Sequence, residues 1–155
     1  MKINHNGFTL IEIIATLVLV GILSALAGVG ILHIANGFVF QKRVGEAVQK
    51  GQIVMSKIIK ELDSMTSVTS ADETSISYLR DTTPHNIRLS GSNILFDGDV
   101  LTDDVSLFQL KYYNLHDSIA TGYSSTTGII EISVSLSVLD GIDRTFKNRV
   151  YIGDL

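Results

Sequence analysis

The run from Phe8 to Gln41 constrains this chain more than anything else in it, because Glu12 is its only Asp, Glu, Lys or Arg. Within it, residues 13–32 are interrupted only by small or weakly polar side chains, at Thr16, Gly21, Ser24, Gly28 and Gly30. About 20 apolar residues in a helix cross about 30 Å of hydrocarbon, so the segment is long enough to span a bilayer. A charge in such a span costs roughly 2.5–3.5 kcal/mol on insertion scales and marks function by default. What Glu12 pairs with is therefore the first question. Glycine inside a helix costs about 1 kcal/mol relative to alanine, which makes Gly28 and Gly30 the place to expect a kink. Glycine is also simply frequent in membrane helices.

The rest of the 155 residues leaves room for one compact domain beside the anchor. The net charge is −4 and no block of basic residues with aromatics occurs, so no nucleic-acid site is evident. Cysteine is absent, which excludes disulfides and thiolate metal sites. It does not exclude an extracytoplasmic location, where disulfides are allowed but not required.

Three fates fit the apolar segment. It can be a secretory signal, with Lys2 as the basic region and Ala25-Leu26-Ala27 as the cleavage site, although Glu12 is unwelcome in its hydrophobic part. It can be a plain single-pass anchor. The third fate rests on Gly7-Phe8-Thr9-Leu10-Ile11-Glu12, which follows a short polar leader containing Lys2. That motif resembles the type III signal of type IV pilins and type II secretion pseudopilins. The resemblance covers about the first 40 residues. It implies that a membrane aspartyl peptidase cuts after Gly7 and N-methylates Phe8, and that the hydrophobic segment is kept.

The residue types suit that chemistry. Gly7 has no side chain, so a protease can approach the backbone closely. Cleavage would give Phe8 a new α-amino group, cationic near neutral pH, four residues from Glu12. Unit charges about 4 Å apart attract by about 4 kcal/mol at an effective dielectric of 20, similar to the insertion penalty. The pair is then near break-even in stability but strict in register, since a misplaced neighbour leaves a bare charge in an apolar core. By resemblance, Glu12 of an incoming subunit pairs with the Phe8 amine of one already assembled. Thr9 is expected as a helix-start hydroxyl, the alternative being a contact with Glu12 of a neighbour. The chain departs from the major-pilin pattern at Val29, where a proline is common.

Beyond the membrane, Phe40, Val44, Val48, Met55, Ile58, Ile59, Leu62 and Met65 fall mostly at steps of 3, 4 or 7, the stripe of an amphipathic helix. Lys42, Arg43, Lys50, Lys57 and Lys60 occupy other faces. One helix is expected over residues 9–67, ending where Ser and Thr accumulate. Strands are expected at 75–79, 86–89, 93–96, 105–113, 130–138 and 145–152, with turns at Ser90-Gly91-Ser92 and Asp140-Gly141 and a long loop at 118–128. Residues 130–138 alternate strictly and mark a half-buried strand. The expected fold class is α+β, a long N-terminal helix packed on a C-terminal antiparallel sheet. The division is a leader at 1–7, a membrane-spanning helix at 8–37, its amphipathic continuation at 38–68 and a β domain at 69–155.

Asp97, Asp99, Asp103 and Asp104 are dense enough in oxygen ligands to suggest calcium. They lack the EF-hand spacing and its terminal glutamate, so they read better as turn acids, and no cofactor is expected. His5, His33, His85 and His116 have no metal-ligand spacing, and no serine has the setting of a nucleophile. The chain reads as a substrate of an enzyme and not as one.

The resemblance implies a filament subunit of a type IV pilus, a type II secretion pseudopilus or a competence machine. Its partners would be the prepilin peptidase and methyltransferase, other pilins or pseudopilins, and an inner-membrane assembly platform. Residues 55–62 and 146–150 resemble minor pilins of the J or W type, and the missing Cys pair also favours a minor subunit. The competing class is a membrane-anchored binding module that does not polymerise. Lys42 and Arg43 by positive-inside counting put the far end in the cytoplasm. The motif implies the reverse, an inner-membrane protein whose C-terminal domain is extracytoplasmic.

Overall fold

A single α-helix, α1 (Leu10–Asp63), opens the computed structural model, which describes residues 9–114, 122–139 and 141–153. The helical backbone continues through Gly28 and Gly30. Its side chains from Leu10 to Val39 are exposed, and it is the one described helix long and apolar enough to cross a membrane. The chain divides into two compact units, Met1–Lys42 and Arg43–Leu155, and α1 contributes to both.

In the second unit α1 buries Ala47, Gly51, Val54, Met55, Ile58, Glu61 and Leu62. These recur every three or four residues, so they form one face. Ser64, Thr66 and Ser67 do not extend the helix as expected. It stops at Asp63, and β1 (Ser67–Ala71) begins, because Ser67 and Val68 pair with Leu79 and Tyr78 of β2 (Ser75–Arg80). Hydroxyl and β-branched residues lose little by leaving a helix.

The β part is two sheets and not one. The first is a meander in the order β1-β2-β3-β4-β5, with β3 (Thr83–Ser90), β4 (Asn93–Phe96) and β5 (Asp99–Thr102). The second has the order β6-β7-β8, from β6 (Val105–Asn114), β7 (Thr127–Leu139) and β8 (Ile142–Tyr151). All pairings are antiparallel. Between the sheets the chain turns at Asp103 and Asp104, the latter with φ 57°. Asp97 (φ 53°) and Gly98 (φ 95°) form the two-residue turn from β4 to β5, the left-handed pair that Asp-Gly favours in a hairpin.

Pro84, the only proline, lies opposite Leu79 in β3 but beyond the reach of β4, which pairs with residues 87–90. Its missing N–H therefore interrupts no ladder on that side. In β7, Ile130, Ile132, Val134 and Leu136 enter a core shared with Val54, Ile58 and Leu62 of α1 and with Ile76, Tyr78, Ile87 and Ile94 of the first sheet. The alternate residues Ser133 and Ser135 are buried as well. β7 is the central strand, so the longer neighbours Gln109, Lys147 and Thr145 of β6 and β8 flank these short side chains on both sides. The Ser135 and Thr145 hydroxyls share a hydrogen bond of 2.8 Å.

Candidate functional site

The first turn of α1 has a defined cap. The Thr9 carbonyl accepts the N–H groups of Glu12 at 3.1 Å and Ile13 at 3.3 Å, and Thr9 Oγ1 lies 3.4 Å from the Glu12 nitrogen. Thr9 is thus the N-cap and Glu12 the third helical residue, the spacing of a capping box. A carboxylate in the first turn faces the positive end of the helix dipole. Four residues later the Thr16 hydroxyl donates to the Ile13 carbonyl at 2.8 Å, which covers its own polar group. Gly7 and Phe8, the other two motif residues, lie outside the described residues, as do His5 and His116.

The four turn acids do not come together. Asp97 accepts a 2.7 Å hydrogen bond from His85 Nδ1 and another at 2.8 Å from the Asn86 amide. Burial works against its ionisation, but these hydrogen bonds outweigh it and hold the carboxyl below its usual range. Asp103 and Asp104 bind Lys50 of α1 at 2.5 and 3.4 Å. The hydrogen bond from Lys50 lowers the Asp103 carboxyl further below its ordinary value. Asp99 opposes Phe96 in the β4–β5 ladder. No three His, Cys, Asp or Glu side chains gather as metal ligands among the described residues. The positive φ of Asp97 and Asp104 accounts for aspartate at those positions, since Asp tolerates the left-handed region better than most residues.

A second polar centre was not anticipated from the sequence. Glu61 is only 2 % exposed and sits on the buried face of α1. Its Oε1 accepts Lys57 Nζ at 2.6 Å, and its Oε2 accepts the Tyr78 hydroxyl at 3.0 Å and an Arg80 guanidinium N–H at 2.8 Å. Burial alone would raise its pKa. Hydrogen bonds from Lys57 and Tyr78, with the charges of Lys57 and Arg80, prevail and hold the carboxyl below the usual range. Burial, and then the Glu61 charge, push the Tyr78 phenol well above its ordinary value. Lys57 also lies 4.8 Å from the centroid of the Phe96 ring, a cation–π distance.

His85 stacks on Phe96 at 5.6 Å and 12°, and tilts toward Tyr78 at 5.7 Å. The buried Nε2 of His85 has no hydrogen-bond partner among the described residues. The network ties the end of α1 to β2, and the histidine ties β3 to the β4–β5 turn. One sequence signal pointed to Glu61. It falls three residues after Ile58 and four after Lys57, on the apolar stripe and within an i, i+4 pair.

Comparison with known proteins bears on the first of these centres. Residues 2–28 match the family described as the prokaryotic N-terminal methylation motif. No curated protein and no solved structure matches the chain.

Proposed function

We propose that this chain, which carries the N-terminal signal of type IV pilins and pseudopilins, is a structural subunit of a type IV pilus or a type II secretion pseudopilus, and of the minor kind. It resides first in the inner membrane as a single-pass protein with residues 43–155 extracytoplasmic. The prepilin peptidase removes residues 1–7 by cutting after Gly7, and Phe8 becomes the methylated terminus. The assembly platform then delivers it to neighbouring pilins. Glu12 of the incoming subunit pairs with the Phe8 amine of its neighbour, which fixes register along the filament core. The protein is a structural component and not a catalyst.

The observation that carries this reading is continuity. Residues 10–28 of the methylation motif lie within α1, and the apolar run continues along the same helix to residue 39 with its side chains exposed. An apolar helix of that length needs lipid or other helices around it. Minor status is supported by the resemblance of residues 55–62 and by the absence of cysteine.

The test is mass spectrometry of the mature N-terminus, followed by assembly of Glu12→Ala. Methyl-Phe8 as first residue is expected. Glu12→Ala should be inserted and cut normally yet reach filaments at under a tenth of the wild-type amount. A mature terminus near Gly28 would return the segment to a secretory signal, and undiminished assembly of Glu12→Ala would remove the registration mechanism.

A further inference from the structure

A pocket of 290 Å³ lies just past the apolar run of α1, lined by Arg43, Glu46 and Lys50 of the helix, by Asp104, and by Leu136 and Ser137 of β7 among others. Residues 43, 46 and 50 are three and four apart, so they share one helix face. Lys50 is already held by Asp103 and Asp104, at 2.5 and 3.4 Å. Arg43 is exposed, and its guanidinium has no ion pair or hydrogen bond among the described residues. It is the free cation of the pocket. Asp104 meets Lys50 only at the longer distance, and a carboxylate offers about four acceptor positions.

Arg43 follows Phe40, the last apolar residue of the run, by three positions, about 4.5 Å along the helix axis. The polar layer on each face of a bilayer is roughly 5–7 Å deep. With residues 10–39 in hydrocarbon, Arg43 therefore stands at headgroup depth, which follows from the rise of α1 alone. The strand that walls the pocket runs on to Leu139, which pairs with Ile142 across the β7–β8 hairpin, and Ile142 is 39 % exposed. The pocket is thus bordered by a hairpin end with aliphatic side chains.

We propose that this pocket binds the headgroup of an aminophospholipid, its phosphate on Arg43 and the Ser137 hydroxyl, its primary ammonium on Asp104. The charges select a zwitterion. Glu46 and Asp104 line the pocket, and Asp143 lies opposite Ser137 in the β7–β8 ladder. These carboxylates repel a bare phosphate, whereas a primary ammonium has three N–H groups to give them. A quaternary ammonium has none. The site needs only the membrane reading of residues 10–39, whether or not the chain assembles into a filament.

Native mass spectrometry of the full-length chain in detergent, mixed with phosphatidylethanolamine, phosphatidylglycerol or phosphatidylcholine, counts the lipids retained. One phosphatidylethanolamine per chain is expected, held about tenfold more tightly than the other two. Arg43→Gln should weaken its retention about tenfold, the scale of one charge-assisted hydrogen bond. Ser137→Glu, which sets a carboxylate against the phosphate from the strand side, should do the same. Lys42→Gln removes a neighbouring cation that does not line the pocket, and should change retention by less than about twofold. Inorganic phosphate or soluble phosphoethanolamine, at the concentration of the lipid, should displace none. Equal losses in Arg43→Gln and Lys42→Gln, equal retention of the three lipids, or displacement by either soluble compound overturns the site. Carbonate extraction of the same variants reads insertion. Normal insertion without selective retention sinks the site alone, whereas a chain that carbonate strips from membranes sinks the membrane reading.

Discussion

Gly51→Ala isolates one contact that holds α1 to the second sheet. A Cβ built at Gly51 would lie 2.1 Å from Phe146 Cε2 and 2.4 Å from Cζ, against an ordinary carbon contact of about 3.5–4.0 Å. The ring must therefore retreat by roughly 1.5 Å from a groove it partly fills. Overpacking of this kind costs about 1–3 kcal/mol. Alanine in a helix returns about 1 kcal/mol, so the net loss is about 1 kcal/mol. Gly45 supplies the control. It lies six residues earlier in α1, is exposed, and its added Cβ would meet nothing within 4 Å. Gly45→Ala should therefore stabilise by up to about 1 kcal/mol. The helix-propensity terms cancel in the difference between the two variants, which leaves the contact itself. Urea unfolding of the full-length chain in detergent, followed by tyrosine fluorescence, measures both midpoints at constant slope. In a Phe146→Ala background, Gly51→Ala should turn stabilising. Equal shifts for Gly45→Ala and Gly51→Ala, or a Gly51→Ala penalty that survives removal of the Phe146 ring, would refute the reasoning.

Two further predictions concern the buried carboxylate and the helix start. The Glu61 pKa is lowered in the folded state, so its contribution is present above its unfolded value, about 4.3, and is lost as pH falls through the lower folded value. Glu61→Gln should cost about 1.5–3 kcal/mol at pH 7, the range for hydrogen bonds to a charged group. Its gap from wild type should narrow on acidification below about pH 4, and a gap that stays constant from neutral to acid pH in urea melts would count against this electrostatic account. Thr9→Ala removes the N-cap oxygen, typically worth about 1 kcal/mol. The Glu12 and Ile13 amides should then exchange about fivefold faster in micelles, with those past Thr16 unchanged, and uniform exchange along the helix would deny Thr9 that role.

The elements that were legible before folding share one property, a local signature. The amphipathic stripe placed Met55, Ile58 and Leu62 on the buried face of α1 but missed Ala47, Gly51 and Val54, alternation over 130–138 placed β7, and Ser90-Gly91-Ser92 placed the β3–β4 turn, where Gly91 has φ 60°. β1 and β5 were missed. Ser67–Ala71 and Asp99–Thr102 are short and lack clean alternation, and they become strands by pairing with β2 and β4. The aspartates at 97–104 were visible as turn residues, but their partners His85 and Lys50 were not.

By itself, then, the sequence determined what its segments carry and need: an N-terminal methylation motif at residues 2–28, lipid or neighbouring helices for residues 10–39, and a core for one face of α1. Only the tertiary structure decided which distant groups meet those needs in the domain. Glu61 is tolerated in the core because Tyr78 and Arg80, 17 and 19 residues away, close on it together with Lys57. Gly51 is a glycine because Phe146 arrives from β8, far along the chain. Periodicity encodes which way a side chain faces, but not which element packs opposite, since that follows from how two sheets and a helix fill one common core.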